Sequence, residues 1–285
     1  MQVGFISQLL WPRYGTFWKN LVAEIGATPQ LATLEDPVLA LDDPRVQAIP
    51  GLAFQLAAAQ ALALSGADYL IVPDLNPGEE TARGSGQDLW IASFPDALRT
   101  TLHGLPPIVG VPASLHGDLE ALAVRTLHTI SDDPVTIRRS WERHRALATA
   151  PRYREPRWQR RSGETRTVGV VGQPWLLNDH VLELLSPGPS YHLIGQHQLE
   201  PTLLRREGDR VDPKLVGTDR EVVGAARYFG RKGGIDEVWV VVDETSGADA
   251  ALAARLERVL REAPTTKTLQ HLADPETLIR ALAEH

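Results

Sequence analysis

Polar residues gather just after short apolar runs in this chain. Ser7, Gln8 and Trp11 follow Val3-Gly4-Phe5-Ile6, and Asp74 and Asn76 follow Tyr69-Leu70-Ile71-Val72-Pro73. Gln173 and Trp175 follow Val168-Gly169-Val170-Val171, and Asp243 and Glu244 follow Val238-Trp239-Val240-Val241-Val242. Carboxylates can act as acids, bases or oxygen ligands, amides orient a ligand, and indoles offer an apolar wall. Asp74, Asp243 and Glu244 could together hold a divalent cation, although acidic residues after strands also commonly cap helices. His180, His192 and His197 do not have the spacing of a helical metal site and read as structural or exposed.

Established catalytic motifs are missing. There is no G-x-S-x-G elbow, no phosphate loop ending in G-K-[ST], and no G-x-G-x-x-G after a strand. The chain has no cysteine. That excludes disulfides, a thiolate nucleophile and cysteine-held zinc or iron–sulfur centres. The net charge of −7 argues against a nucleic-acid surface. The first ten residues carry no basic region, so no signal peptide is expected. The apolar stretch Leu52–Leu64 is too short for a bilayer and is interrupted by Gln55 and Gln60. A cytoplasmic protein is expected, with no nucleic-acid or membrane partner.

The elements behind these loops alternate. A run that is apolar on both faces reads as a strand of a buried parallel sheet. Val3-Gly4-Phe5-Ile6-Ser7-Gln8 and Val168-Gly169-Val170-Val171-Gly172-Gln173 read alike, each with a Trp soon after. Helical patterns follow each strand, with Thr16 expected to cap the first. Strands are expected near 30–34, 69–73, 108–111, 191–194, 238–242 and 268–272, and a helix over 115–129. The fold class is therefore α/β: two Rossmann-like domains with parallel sheets, helices on both faces and an interdomain cleft. The expected organisation is an N-terminal domain over 1–150, an Arg-rich linker over 151–166 and a C-terminal domain over 167–285. The four loops would line the cleft, because open α/β sheets hold ligands at the carboxyl ends of their strands.

Over nearly its whole length the chain resembles the 2-hydroxyacyl-CoA dehydratase and benzoyl-CoA reductase subunit family. The likeness rests on four stretches: Val3 to Gly26, Gly66-Ala67-Asp68-Tyr69-Leu70-Ile71-Val72-Pro73, Val168 to Pro174, and Arg220 to Phe229. The family holds a [4Fe-4S] cluster through cysteines of three turns. The resemblance implies that those positions fall at Ala48, Asp88 and Ser246 here, within Ala48-Ile49-Pro50, Asp88-Leu89-Trp90 and Ser246-Gly247-Ala248-Asp249. No thiolate remains to bind iron, so no cofactor is expected. The resemblance further implies that the three positions lie near one another, with Trp90 and Trp175 filling the vacated space.

Three readings follow. The first is a cluster-free relative whose cleft takes a small-molecule ligand, such as an acyl-CoA-like one, or a protein partner. The second is a non-redox enzyme using Asp88, Asp74, Asp243 or Glu244. The third is a structural subunit in an oligomer with a cluster-bearing homologue.

Overall fold

The structure is a computed structural model, which describes residues 1–33, 40–75, 88–115, 117–149, 165–215, 217–243, 245–261, 266–271 and 281. Strands β1 (Gln2–Phe5), β2 (Thr28–Leu31), β3 (Tyr69–Asp74) and β4 (Ile108–Pro112) form one sheet in the order β2-β1-β3-β4. Strands β5 (Arg166–Val171), β6 (Tyr191–Gly195), β7 (Glu237–Val242) and β8 (Thr266–His271) form a second in the order β6-β5-β7-β8. All neighbouring strands are parallel. The α/β class and the two parallel sheets are as the alternating pattern predicts, and the two valine–glycine runs occupy equivalent inner positions. The chain divides into two compact units, the first holding β1–β4 and the second β5–β8. Most of the expected linker, 151–164, lies outside the described residues, and β5 starts at Arg166.

In the first unit, Val3, Phe5 and Ile6 of the opening run are fully buried. Helix α1 (Trp11–Glu24) buries Tyr14, Phe17, Trp18, Leu21 and Val22. It starts well before Thr16, which sits exposed inside it rather than capping it. Its start is set by Leu10, held at φ 76°, and by Pro12, whose missing N–H costs nothing in a first turn. Strand β2 begins two residues before the expected Gln30. A short helix α2 (Pro44–Gln47) follows, capped by Asp43 on the Arg45 N–H. Helix α3 (Leu52–Ala63) is buried nearly all round, which explains its lack of a polar face. Helices α4 (Leu89–Ala92), α5 (Phe94–Thr101), α6 (Leu119–Ile130) and α7 (Pro134–Thr149) complete the unit. The Asp118 carboxylate accepts from the Ala121 N–H and so fixes the α6 start beyond the expected Leu115. The Ser140 hydroxyl of α7 donates to the Leu21 carbonyl of α1 at 2.9 Å.

In the second unit Val168, Val170 and Val171 are fully buried. Asn178 caps helix α8 (Asp179–Leu185) through the Val181 N–H at 2.8 Å. Helix α9 (Pro201–Asp209), unread in the sequence, packs on α10 (Gly217–Arg231) with glycines at the contact. A β-carbon on Gly224 would lie 1.8 Å from the Leu204 carbonyl oxygen, and one on Gly208 would lie 2.1 Å from that of Arg220. Only glycine permits so close a backbone approach. Helix α11 (Gly247–Arg261) sends Leu252, Leu256 and Leu260 into the core beside Val240, Val242 and Phe229.

Candidate functional site

Both sheets share one topology. From β1 the chain moves outward to β2 and then crosses to β3 on the other side; from β5 it goes to β6 and crosses to β7. The junctions β1/β3 and β5/β7 are therefore switch points, where crossover segments diverge and leave room at the strand carboxyl ends. Each junction carries buried polar groups.

At the end of β5, the Gly172 N–H donates to Gln196 Oε1 at 3.2 Å. Gln173, 3% exposed, satisfies its amide twice over. Its Nε2 donates to Asp219 Oδ1 and its Oε1 accepts from Thr218 Oγ1, both at 2.8 Å. Thr218 and Asp219 belong to the first turn of α10. At the end of β7, Asp243 Oδ1 accepts from the Thr245 N–H and from Thr245 Oγ1. The Asp243 N–H in turn donates to Asp249 Oδ2 at 3.0 Å.

Ser246 joins these groups. Its Oγ accepts from the Asp249 N–H at 3.2 Å, the bond expected of an N-cap serine for the third helical residue. The hydroxyl hydrogen goes elsewhere: Ser246 Oγ donates to Asp88 Oδ2 at 2.9 Å, across 158 residues of sequence. Asp88 groups with this unit. A helix cap thus accounts for serine at 246 on structural grounds, and the bond to Asp88 fixes which way its hydroxyl points.

The electrostatics follow from the neighbours. Asp219, Asp243 and Asp249 are each 5% exposed or less. Burial pushes the Asp249 carboxyl up to about 7, the negative charges of Asp243, Asp88 and Asp219 push the same way, and the Asp243 N–H hydrogen bond opposes them. Asp249 therefore exchanges its proton near neutrality. Chemically, the group can give or take one proton and can pair with hydrogen-bond donors.

The β1/β3 junction is built differently. Gln60 of α3 reaches Ser7 twice, accepting from its N–H at 3.0 Å and donating to its Oγ at 3.1 Å. Tyr14 donates its hydroxyl to the Ile6 carbonyl at 2.7 Å, with the Gln8 carbonyl at 3.2 Å. Burial raises the Tyr14 phenol well above its ordinary value, so it remains a donor. Between them Leu9 and Leu10 hold φ of 55° and 76°, a left-handed conformation that costs side-chain-bearing residues roughly 1–2 kcal/mol each. Both side chains are buried, which offsets that cost.

Of the residues singled out in the sequence, Ser7, Gln8 and Trp11 lie at the β1 end, and Asp74 closes β3. Trp11 packs edge-on against Phe5 and Tyr14. Trp90 sits in the first unit's aromatic core, 5.2 Å from Phe54 and 5.8 Å from Phe94 between ring centres. Ala48 is exposed in the first unit, at the end of α2. Gln173, Trp175, Asp243, Ser246 and Asp88 belong to the second unit, where Trp175 is buried in a 3-10 turn, Pro174–Leu176. Asn76 and Glu244 lie outside the described residues. The structure adds Gln60, Gln196, Thr218, Asp219 and Asp249. For Asp249 a signal existed, because Ser246-x-x-Asp249 has the spacing of a capped helix start.

His197 places Nε2 3.0 Å from Asp179 Oδ1, while its Nδ1 is buried with no hydrogen-bond partner. Burial lowers its pKa, against the pull of Asp179, so the imidazole is neutral at pH ~7. Among the described residues, no group of three or more His, Cys, Asp or Glu is arranged to hold a metal ion. No helix among them is long and apolar enough to cross a membrane. Comparison of the chain with protein-family models, with curated proteins and with solved structures found no match.

Proposed function

We propose that the chain is a cluster-free relative of the 2-hydroxyacyl-CoA dehydratase subunits, built as two Rossmann-like halves. In this reading it binds a small molecule at the carboxyl ends of β5 and β7. One observation carries the site: Gln173, Thr218, Asp219, Asp243, Ser246 and Asp249 are buried polar residues at a single switch point, where open α/β sheets hold ligands. The chemistry of that group favours a ligand part that donates hydrogen bonds over one that brings negative charge. An acyl-CoA-like ligand would therefore present its neutral amides there and keep its phosphates away. The family's cluster-dependent electron transfer is excluded from the proposal, because the chain has no cysteine to hold the cluster.

The test is thermal denaturation of the purified chain with coenzyme A, acyl-CoA esters, nucleotides and divalent cations, since a ligand of the folded state raises its stability. The expected outcome is a concentration-dependent rise with an acyl-CoA ester that Gln173→Ala abolishes. No shift with any ligand, or a shift that Gln173→Ala leaves intact, overturns the site.

A second reading has its own support. Asp249, with a pKa of about 7, is suited to general acid–base work in a non-redox enzyme. It predicts a turnover whose pH profile changes in Asp249→Asn while ligand-induced stabilisation survives.

A further inference from the structure

The Ser246 hydroxyl does two things with one oxygen. Its lone pair caps α11 through the Asp249 N–H, and its single hydrogen holds Asp88. The cap survives if the hydrogen turns away, but the hold on Asp88 does not. Asp88 is also the one carboxyl of the group that is not fully buried; Asp219, Asp243 and Asp249 are at most 5% exposed. If the group gains negative charge, Asp88 is the member that can reach water. The others are fixed: Asp219 by Gln173, Asp243 by Thr245, and Asp249 by the Asp243 N–H.

We propose that the Ser246–Asp88 hydrogen bond is a proton-controlled clasp, closed while the Asp249 carboxyl keeps its proton and opened when that proton leaves. The charged groups that act on Asp249 come from each surrounding element: Asp243 after β7, Asp219 from α10, and Asp88 before α4. All are acidic. The described ion pairs of α10 each join opposite charges: Glu221 with Arg205, Arg220 with Asp209, and Arg227 with Glu207. Loss of the Asp249 proton therefore adds a buried like charge, and the group relaxes by releasing Asp88 to solvent. Burial and the Asp243 charge set the transition near neutral pH. This rests on the hydrogen-bond geometry and not on the proposed ligand.

Carboxyl footprinting reads the clasp directly. Wild-type protein is labelled with a carbodiimide and an amine at about pH 6 and about pH 8, and labelling of Asp88 is referred to the exposed Asp96. The Asp88:Asp96 ratio is expected to rise about fivefold or more across that range. Asp249→Asn, which keeps the acceptor oxygen but cannot ionise, should hold the ratio at its low value at both pH values. Ser246→Ala, which removes the donor, should hold it at its high value at both. A wild-type ratio that does not change with pH, or one that still rises in Asp249→Asn, overturns the clasp. So does a Ser246→Ala ratio that remains low and pH-dependent.

Discussion

Asp249 has a thermodynamic signature that can be read without any ligand. Its folded pKa of about 7 lies well above the ordinary aspartate value of about 3.9. A proton bound more tightly by the folded chain stabilises it, so the contribution is complete below about pH 4 and is lost as pH rises to about 7. His197 runs the other way: burial depresses its folded pKa below 6.5, so its contribution is present above that value and is lost as pH falls. The two oppose each other in mildly acidic solution, which makes the wild-type curve alone ambiguous. The difference between Asp249→Asn and wild type separates them. Measured by urea denaturation, the variant should gain on wild type steadily from about pH 4 to about pH 7 and run parallel to it above. A difference that stays flat across that range would remove the proton from Asp249. A second residue-scale prediction concerns Glu221, fully buried and paired with Arg205 at 2.9 Å. Arg205→Ala removes the guanidinium balancing that charge and should cost roughly 3 kcal/mol in the same assay, whereas Arg145→Ala, at an exposed pair, should cost under about 1 kcal/mol. Sequence pointed to Asp243, Asp88, Ser246 and Gln173 through their places after apolar runs or in the family-like turns. It did not point to Asp219, because an aspartate in the first turn of a helix reads as ordinary capping chemistry, and nothing local records that a glutamine from another strand end will cover it.

Elements were legible where burial is two-sided and obscure where tertiary contact decides. The valine runs of β5 and β7 and the alanine-rich, mostly apolar α3 advertise themselves. The start of α1 does not, because it depends on two left-handed leucines that the fold must hold in place. Helix α9 has a weak signal in the sequence because it is mostly polar and its defining contact is backbone on backbone with α10. That contact yields a sharp prediction. Gly224→Ala places a methyl 1.8 Å from the Leu204 carbonyl oxygen and 2.7 Å from the Gly208 nitrogen. No side chain can turn aside to relieve it, so the helices must separate, at a cost of about 2–4 kcal/mol. Gly233→Ala, where nothing lies within 4 Å, serves as the control and should change stability by less than about 0.5 kcal/mol. Equal effects in chemical denaturation would mean that α9 and α10 are not held at this distance.

For the whole molecule, alternation of strands with helices gave the parallel sheets, and the twin valine–glycine openings matched the twin strand orders. The arrangement of one unit against the other has no comparable signature in local sequence. The expectation of a cleft between them rests on the strand-end rule for α/β sheets and on the family resemblance. The resemblance also makes a chemical prediction by what the chain lacks. Anaerobic reconstitution with iron and sulfide should leave no stoichiometric iron–sulfur absorbance, because the chain contains no cysteine. A cluster that survives gel filtration would require ligands of another kind and would reopen the redox chemistry set aside above.

Strand order also has a consequence for synthesis on the ribosome. In each unit the first described strand takes an inner position in its sheet. Val3 meets Tyr69 of β3, and Val168 meets Glu237 of β7. At translation speeds of roughly 5–20 residues per second, each opening valine run waits several seconds for its second neighbour. During that wait it is a short apolar strand with an open edge, a form prone to pairing with other chains. The nascent chain should therefore draw on chaperones twice, once while each half is being made, and slower translation between β1 and β3 or between β5 and β7 should lower the soluble yield.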